Sequence, residues 1–327
     1  MKKSTKKISL LLLALCTLCL TACTASPAPT DETYDDFILV GFSQVGAESD
    51  WRNANTKSMQ AALSEENGYR LIIDDAQQKQ ERQITAIRNF IHQGVDYIIL
   101  APTTEKGWDT VLLEAKAAGI PVIIVDRMIE SEDDTLFTSW IGSDFRKEAN
   151  TAVRWMEQHF GSKPLRIVHL QGNIGSSAQI GRTEGLDAGL QNNPSWQLVY
   201  RDTGDFTQAK GQELVEALLA DGLEFDLIFA ENDNMAYGAI DALKNAGLTP
   251  GRDVTIISFD ANRAALEMVI TGEIAYDVEC NPLHGPRVQK IIEKLEKGEA
   301  TPKLTFVEES AFDADTITRE MMDSRGY

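Results

Sequence analysis

The sequence predicts an α/β protein made of two doubly wound parallel-sheet lobes. Three observations carry that prediction. Short apolar runs rich in β-branched residues alternate with amphipathic stretches from Phe37 onward. The alternation runs once as far as Val125 and then starts again. Strand–helix alternation of this kind builds parallel sheets covered on both faces, and about 300 residues of ordinary apolar content are enough for two such cores.

In the first run, Phe37–Phe42, Leu71–Asp74, Tyr97–Leu100 and Val122–Val125 read as buried strands, being short, apolar throughout and bounded by polar or proline signals. Between them, Trp51–Glu66, Lys79–Gln93 and Lys106–Ala118 repeat apolar residues at three- and four-residue spacing, as in Ile84, Ile87, Phe90 and Ile91. Two of these helices end at Gly94 and Gly119, where a left-handed residue is wanted. In the second run the strands are Leu165–Leu170, Gln197–Tyr200, Leu227–Phe229 and Val254–Phe259. Helices near Ser177–Gln191, Thr207–Ala220, Asn234–Ala246 and Arg263–Thr271 separate them.

The N-terminus is of another kind. Lys2, Lys3, Lys6 and Lys7 precede an apolar run from Ile8 to Leu20, which is a secretory signal too short to be a comfortable membrane span. Leu20-Thr21-Ala22-Cys23 resembles the cleavage site of bacterial lipoproteins. That resemblance makes residues 1–22 a signal peptide, Cys23 the lipidated residue, and the polar, proline-bearing residues 23–36 a tether. The expected location is extracytoplasmic, with the membrane reached through the lipid alone. Loss of the four signal lysines takes the formal charge from −19 to −23, which argues against nucleic acid as a partner. With Cys16 and Cys19 removed and Cys23 acylated, Cys280 is the remaining thiol, so no disulfide and no paired-cysteine metal site is expected.

Ligands of open parallel sheets sit outside the carboxyl ends of the strands. There the chain places Ser43-Gln44 and Asp50-Trp51-Arg52, then Asp126-Arg127. In the second run it places Gln171 with Arg182, Asp205-Phe206, Asn232-Asp233, and Asp260. Carboxylates and amides accept from hydroxyls, arginines donate to them, and aromatic faces cover C–H patches, which is the chemistry a sugar needs.

These motifs resemble the solute-binding lipoproteins of ribose-type sugar ABC importers, and within them the galactofuranose-binding subgroup. The likeness covers residues 37–325. It rests on Gly41 to Arg52, Gln77 to Gln80, Gly107-Trp108 and Gly204 to Thr207, with the broader motifs Asp126-Arg127, Leu170-Gln171-Gly172, Asn232-Asp233 and Asp260. Ala101-Pro102 replaces the asparagine common after the third strand of ribose binders, which weighs against ribose. Asn234 and Phe259 also depart from the usual residues and leave pentose, galactofuranose and fructofuranose open.

The resemblance implies a periplasmic-binding-protein-like type I fold with a three-crossing hinge. Lobe one is then 37–143 plus 280–309, and lobe two 144–279 plus 310–327. It implies that Trp51, Arg52, Asp126 and Arg127 contact a monosaccharide from lobe one, and that Arg182, Phe206, Asn232 and Asp260 do so from lobe two. Glu279 is a polar ligand position at a hinge crossing. The implied partners are an ABC permease with its ATPase, and the implied state is a monomer.

Two other classes compete. A sensory binding protein that presents its sugar to a membrane receptor kinase would use the same fold and site. A glycoside hydrolase would use a carboxylate pair such as Asp126 and Asp260, but adjacent arginines are expected to depress the pKa of both, which suits binding better than proton donation. The histidines His92, His159, His169 and His284 are scattered, and the chain has no nucleophile elbow, phosphate loop or dinucleotide fingerprint. No enzyme activity, cofactor or metal is expected, and the acidic run Glu130–Asp134 reads as a solvated loop.

Overall fold

The computed structural model describes residues 37–327; the signal, the Cys23 site and the tether lie outside the described residues. The first run folds as β1 (Ile38–Gln44), α1 (Asp50–Ala62), β2 (Tyr69–Asp75), α2 (Gln80–Gln93), β3 (Tyr97–Leu100), α3 (Asp109–Ala117), β4 (Val122–Val125) and β5 (Ser139–Gly142). The second run is α4 (Phe145–Phe160), β6 (Leu165–Gln171), α5 (Ser177–Asn192), β7 (Trp196–Thr203) and α6 (Gln208–Ala220). It continues through β8 (Leu227–Ala230), α7 (Asp233–Asn245), β9 (Thr255–Asp260), α8 (Arg263–Thr271) and β10 (Tyr276–Glu279). The chain then returns as α9 (Gly285–Glu296) and β11 (Leu304–Phe306), and ends with β12 (Ala311–Phe312) and α10 (Arg319–Ser324).

Two six-stranded sheets result, ordered β2-β1-β3-β4-β5-β11 and β7-β6-β8-β9-β10-β12. All pairings are parallel except β10 with β12. Alternation along each strand feeds two cores. In β3, Tyr97 and Ile99 join the cluster beneath α1 and α9, whereas Ile98 and Leu100 join the one beneath α2 and α3. Each sheet reverses its order beside its first strand, at β1/β3 and at β6/β8, and the carboxyl ends there leave a crevice for a ligand.

Three segments pass between the sheets: Ser143–Asp144, Cys280–His284 and residues 307–310. β5, α4, β10, α9, β11, β12 and α10 are not among the elements the sequence predicts; β11 and β12 are only three and two residues long. The helix expected over Lys106–Ala118 begins later, at Asp109, because Gly107 takes a left-handed φ of 89° that a helix cannot accommodate.

Candidate functional site

A small cavity lies between the two sheets. Trp51, Arg52, Asp126 and Arg127 line it from the first sheet, and Arg182, Phe206, Asn232 and Asp260 from the second. Asp126, Arg127, Phe206, Asn232 and Asp260 stand at or just past a strand's carboxyl end. Trp51 and Arg52 occupy the first turn of α1, held by Ser49, whose Oγ caps the helix by accepting from the Arg52 N–H at 3.1 Å. Arg182 lies on the second turn of α5.

On the first-sheet side the charges form one buried set. Arg52 Nε donates to Glu48 Oε1 at 3.1 Å, and its Nη1 stands 2.9 Å from Asp126 Oδ2. Burial alone would lower the Arg52 pKa, but Asp126 and Glu48 more than offset it and hold the guanidinium above its ordinary value. Arg127, 3.9 Å from both Glu48 and Asp126, is drawn down to about 10 by burial and by Arg52 beside it. Its guanidinium lies 5.2 Å over the Phe206 ring of the second sheet, a cation–π contact across the cleft. Trp51 is fixed by its Nε1, which donates to the carbonyl of Cys280 at 2.7 Å, and by Arg52 over its ring at 4.7 Å.

The second-sheet side is more acidic. Arg182 Nε donates to Glu148 Oε2 at 2.8 Å, its Nη1 donates to the Glu231 carbonyl, and its Nη2 is 3.8 Å from Asp260. Asn232 does two jobs, capping α7 through the Met235 N–H at 3.0 Å and donating to the Phe206 carbonyl at 3.1 Å. The expectation that arginines depress the site's carboxyl pKa values is overturned at Asp260. Burial, then the charge of Asp233, pushes it well above its ordinary value and outweighs Arg182. Burial likewise raises Glu148 in spite of Arg182.

Backbone strain collects at this cavity. Asp126, Phe206 and Asp260 have φ of 64°, 60° and 113°, and Asp205 and Ala261 beside them are also left-handed. Such conformations cost roughly 1–3 kcal/mol each in a non-glycine residue and persist only where the surroundings hold them. The Phe206 ring in turn needs Gly172, since a Cβ there would meet it at 1.8 Å.

Hydrogen bonds close the rim between the sheets. Asp50 and Asn234 exchange two, at 3.1 and 3.2 Å, Asn173 Nδ2 donates to Gln78 Oε1 at 2.6 Å, and the Glu105 N–H donates to the Gly175 carbonyl at 2.9 Å. The molecule is therefore described in a closed form.

Glu279 is the predicted ligand residue that the structure does not bring to the cavity. It ends β10 on the far side of the hinge, where it accepts from the Ser310 N–H at 3.1 Å, from Arg325 and from the Tyr327 hydroxyl. Its position at a crossing is as expected, but its oxygens are spent on the C-terminal segment. Conversely, Glu48, Phe145 and Cys280 line the cavity without having been picked out as site residues. Glu48 had a usable signal, the four-residue spacing to Arg52 across the start of a helix; Phe145 and Cys280 reach the cavity only because the crossings deliver them.

Among the described residues, Glu148, Cys280 and Glu309 are the one His/Cys/Asp/Glu group whose potential ligand atoms converge within 4.8 Å. Glu148 there is engaged by Arg182, and burial pushes the Cys280 thiol well above its ordinary value, which disfavours the thiolate a metal would need.

A family model of the periplasmic binding protein domain matches residues 40–284. The galactofuranose-binding protein of Escherichia coli is 37% identical over 288 residues, covering 87% of this chain and 90% of its own. A solved structure from Mycobacterium smegmatis in complex with β-D-fucofuranose is 41% identical, with a TM-score of 0.82, and the match covers 85% of this chain and 92% of that one. The periplasmic binding protein component of the arabinose ABC transporter of a Shewanella species, bound to α- and β-L-arabinofuranose, is 40% identical with a TM-score of 0.83, covering 88% and 95%.

Proposed function

The chain belongs to the periplasmic binding protein family, and from that membership and the two-sided cavity we propose that it captures one monosaccharide in furanose form by hinge closure and delivers it to an ABC importer. The family is extracytoplasmic, and among the described residues no helix is long and apolar enough to cross a membrane. The observation that carries the reading is the mixed lining of the cavity wall. Arg52, Arg127 and Arg182 line it beside Glu48, Asp126, Asn232 and Asp260, so a neutral polyol finds donors and acceptors on both sides. Trp51, Phe145 and Phe206 supply apolar faces for its C–H groups.

Closure follows from the same geometry. A ligand shifts a hinge equilibrium only by touching one form better than the other, and here the groups that would grip it come from both sheets. Affinity in the micromolar range requires about 8 kcal/mol, within reach of several charge-assisted hydrogen bonds and the aromatic faces. The names of the three relatives support a five-membered ring, since each is described with a furanose. The full proposal adds anchoring through Cys23, a monomeric state, a permease and ATPase as partners, and no chemistry on the sugar.

The test is a thermal-shift screen of the chain from Asp36 onward against monosaccharides, followed by calorimetry. A furanose-locked galactoside should bind at least about tenfold tighter than glucose, a difference of ~1.4 kcal/mol. Equal affinity for glucose removes the furanose assignment, and no binding of any sugar removes the function.

A further inference from the structure

Beneath the cavity floor two aspartates meet that the sugar site itself does not use. Asp233 opens α7 and Asp277 lies in the middle of β10, and both are fully buried. Asp277 pairs in register with Ser258, whose hydroxyl bonds Asp233, and the two carboxyl groups take the successive N–H groups of Ala261 and Asn262, which brings them side by side. Both also hold the turn that follows β9. Asp233 Oδ2 accepts from the Asn262 N–H at 2.9 Å, and Asp277 Oδ1 accepts from the Ala261 N–H at 3.2 Å. Asp233 Oδ1 takes the Ser258 hydroxyl at 2.6 Å. Of the four carboxyl oxygens, Asp277 Oδ2 alone lacks a donor. A single proton between the two acids completes the set, and without it two like charges would stand in contact away from water.

We propose that Asp233 and Asp277 are positioning residues for the sugar: one proton held between their carboxyl groups pins the Asp260–Asn262 turn and so aims Asp260 into the cavity. The turn needs pinning, because Asp260 at φ 113° and Ala261 at φ 51° are both strained. The proposal rests on the sugar-binding reading for Asp260, but the proton itself does not depend on it. Burial pushes both acids up, Asp277 to about 8 and Asp233 well above its ordinary value. The groups facing the pair are Asp260 at the end of β9, which raises Asp277, and Arg325 beyond α10, which lowers it; on α7, Tyr237 donates its hydroxyl to Asn262 Oδ1 at 2.6 Å. A carboxyl whose pKa is raised on folding stabilises the fold fully at low pH, and that contribution is lost as pH rises through its folded value, here about 8.

Asp277→Asn tests this, because an amide N–H can replace the shared proton while the side-chain oxygen still accepts from Ala261. Three readouts apply. The infrared difference spectrum of wild type minus Asp277→Asn at pH 7 should show a protonated carboxyl band lost from the variant; no such band overturns the proposal. Without sugar, the fall in melting temperature as pH rises from 5 to 8 should be shallower in Asp277→Asn than in wild type, since the pair's contribution has levelled off above that range, and an unchanged fall overturns it. With methyl galactofuranoside as the probe, wild-type affinity should drop by up to about tenfold per pH unit above pH 8, the linkage limit for one proton. Asp277→Asn should keep wild-type affinity at pH 7 and lose that limb, whereas Asp277→Ala should bind at least tenfold more weakly. A limb that persists in Asp277→Asn belongs to Asp260 and overturns the role given to the pair. If the probe binds neither protein, the sugar reading fails while the infrared and melting results still decide the proton.

Discussion

The two walls of the cavity follow one strand-end plan and balance their charges in opposite ways. The first-sheet wall is self-compensated: Arg52 and Arg127 meet Glu48 and Asp126, and the pairs close among themselves over 2.9 to 3.9 Å. The second-sheet wall has one arginine, Arg182, between Glu148 and Asp260, with the Asp233–Asp277 pair behind it and Glu309 at the hinge. Burial acts on both walls. Where cations match anions it is offset and Arg52 stays firmly charged; where acids outnumber cations it drives carboxyl groups to keep protons. The difference teaches that one wall offers fixed charges to a ligand and the other a pH-dependent set.

Breaking the sole cation of the acidic wall should have the largest effect. Arg182→Ala leaves Glu148 buried and unpaired, so stability should fall by about 3–5 kcal/mol, read as a lowered urea midpoint, and sugar binding should vanish. A variant that melts like wild type would mean that Glu148 simply takes a proton at little cost.

Truncating one acid on each wall sharpens the comparison. Asp126→Ala and Asp260→Ala should each weaken sugar binding by about 2–5 kcal/mol, since each leaves donors of Arg52 or of the ligand unpaired in a desolvated cleft. Calorimetry should show a loss in both variants, and near-native affinity in both would place the site elsewhere.

Glu309 extends the contrast to stability. It accepts from the Ser143 hydroxyl at 2.6 Å and the Asn281 N–H at 2.8 Å, and burial pushes it up to about 9. The folded state thus holds a proton that the unfolded state has already released by neutral pH, so stability declines as pH rises and levels off once pH passes about 9. The slope is at most about 1.4 kcal/mol per pH unit. Glu309→Gln should flatten it in denaturant titrations at pH 7, 8 and 9; an unchanged slope assigns the alkaline loss to other groups.

The smallest effect is expected at the rim. Asn234→Ala removes the paired bonds to Asp50 and should loosen closure by about 1 kcal/mol, a fivefold weaker sugar affinity with an unchanged melting temperature of the sugar-free protein. Unaltered affinity would mean that the rim contacts do not contribute to closure.

The alternation of strands and helices, the restart after the first run and the polar residues at the strand ends were all readable in the sequence, because burial on both faces of a parallel sheet demands continuous apolar runs. So were the predicted residues from Trp51 to Asp260 that line the cavity. What the chain order could not reveal depends on partners far apart in it. Glu279 turns to Arg325 and Tyr327, 46 and 48 residues away, instead of to the cavity. Glu148 finds Arg182, and Asp233 finds Asp277, only when α4, α5, α7 and β10 pack together. Local periodicity registers which face of an element is apolar; it carries no record of which charges share a desolvated space. Protonation and strain, and with them the difference between the two walls, were therefore decided by tertiary packing alone.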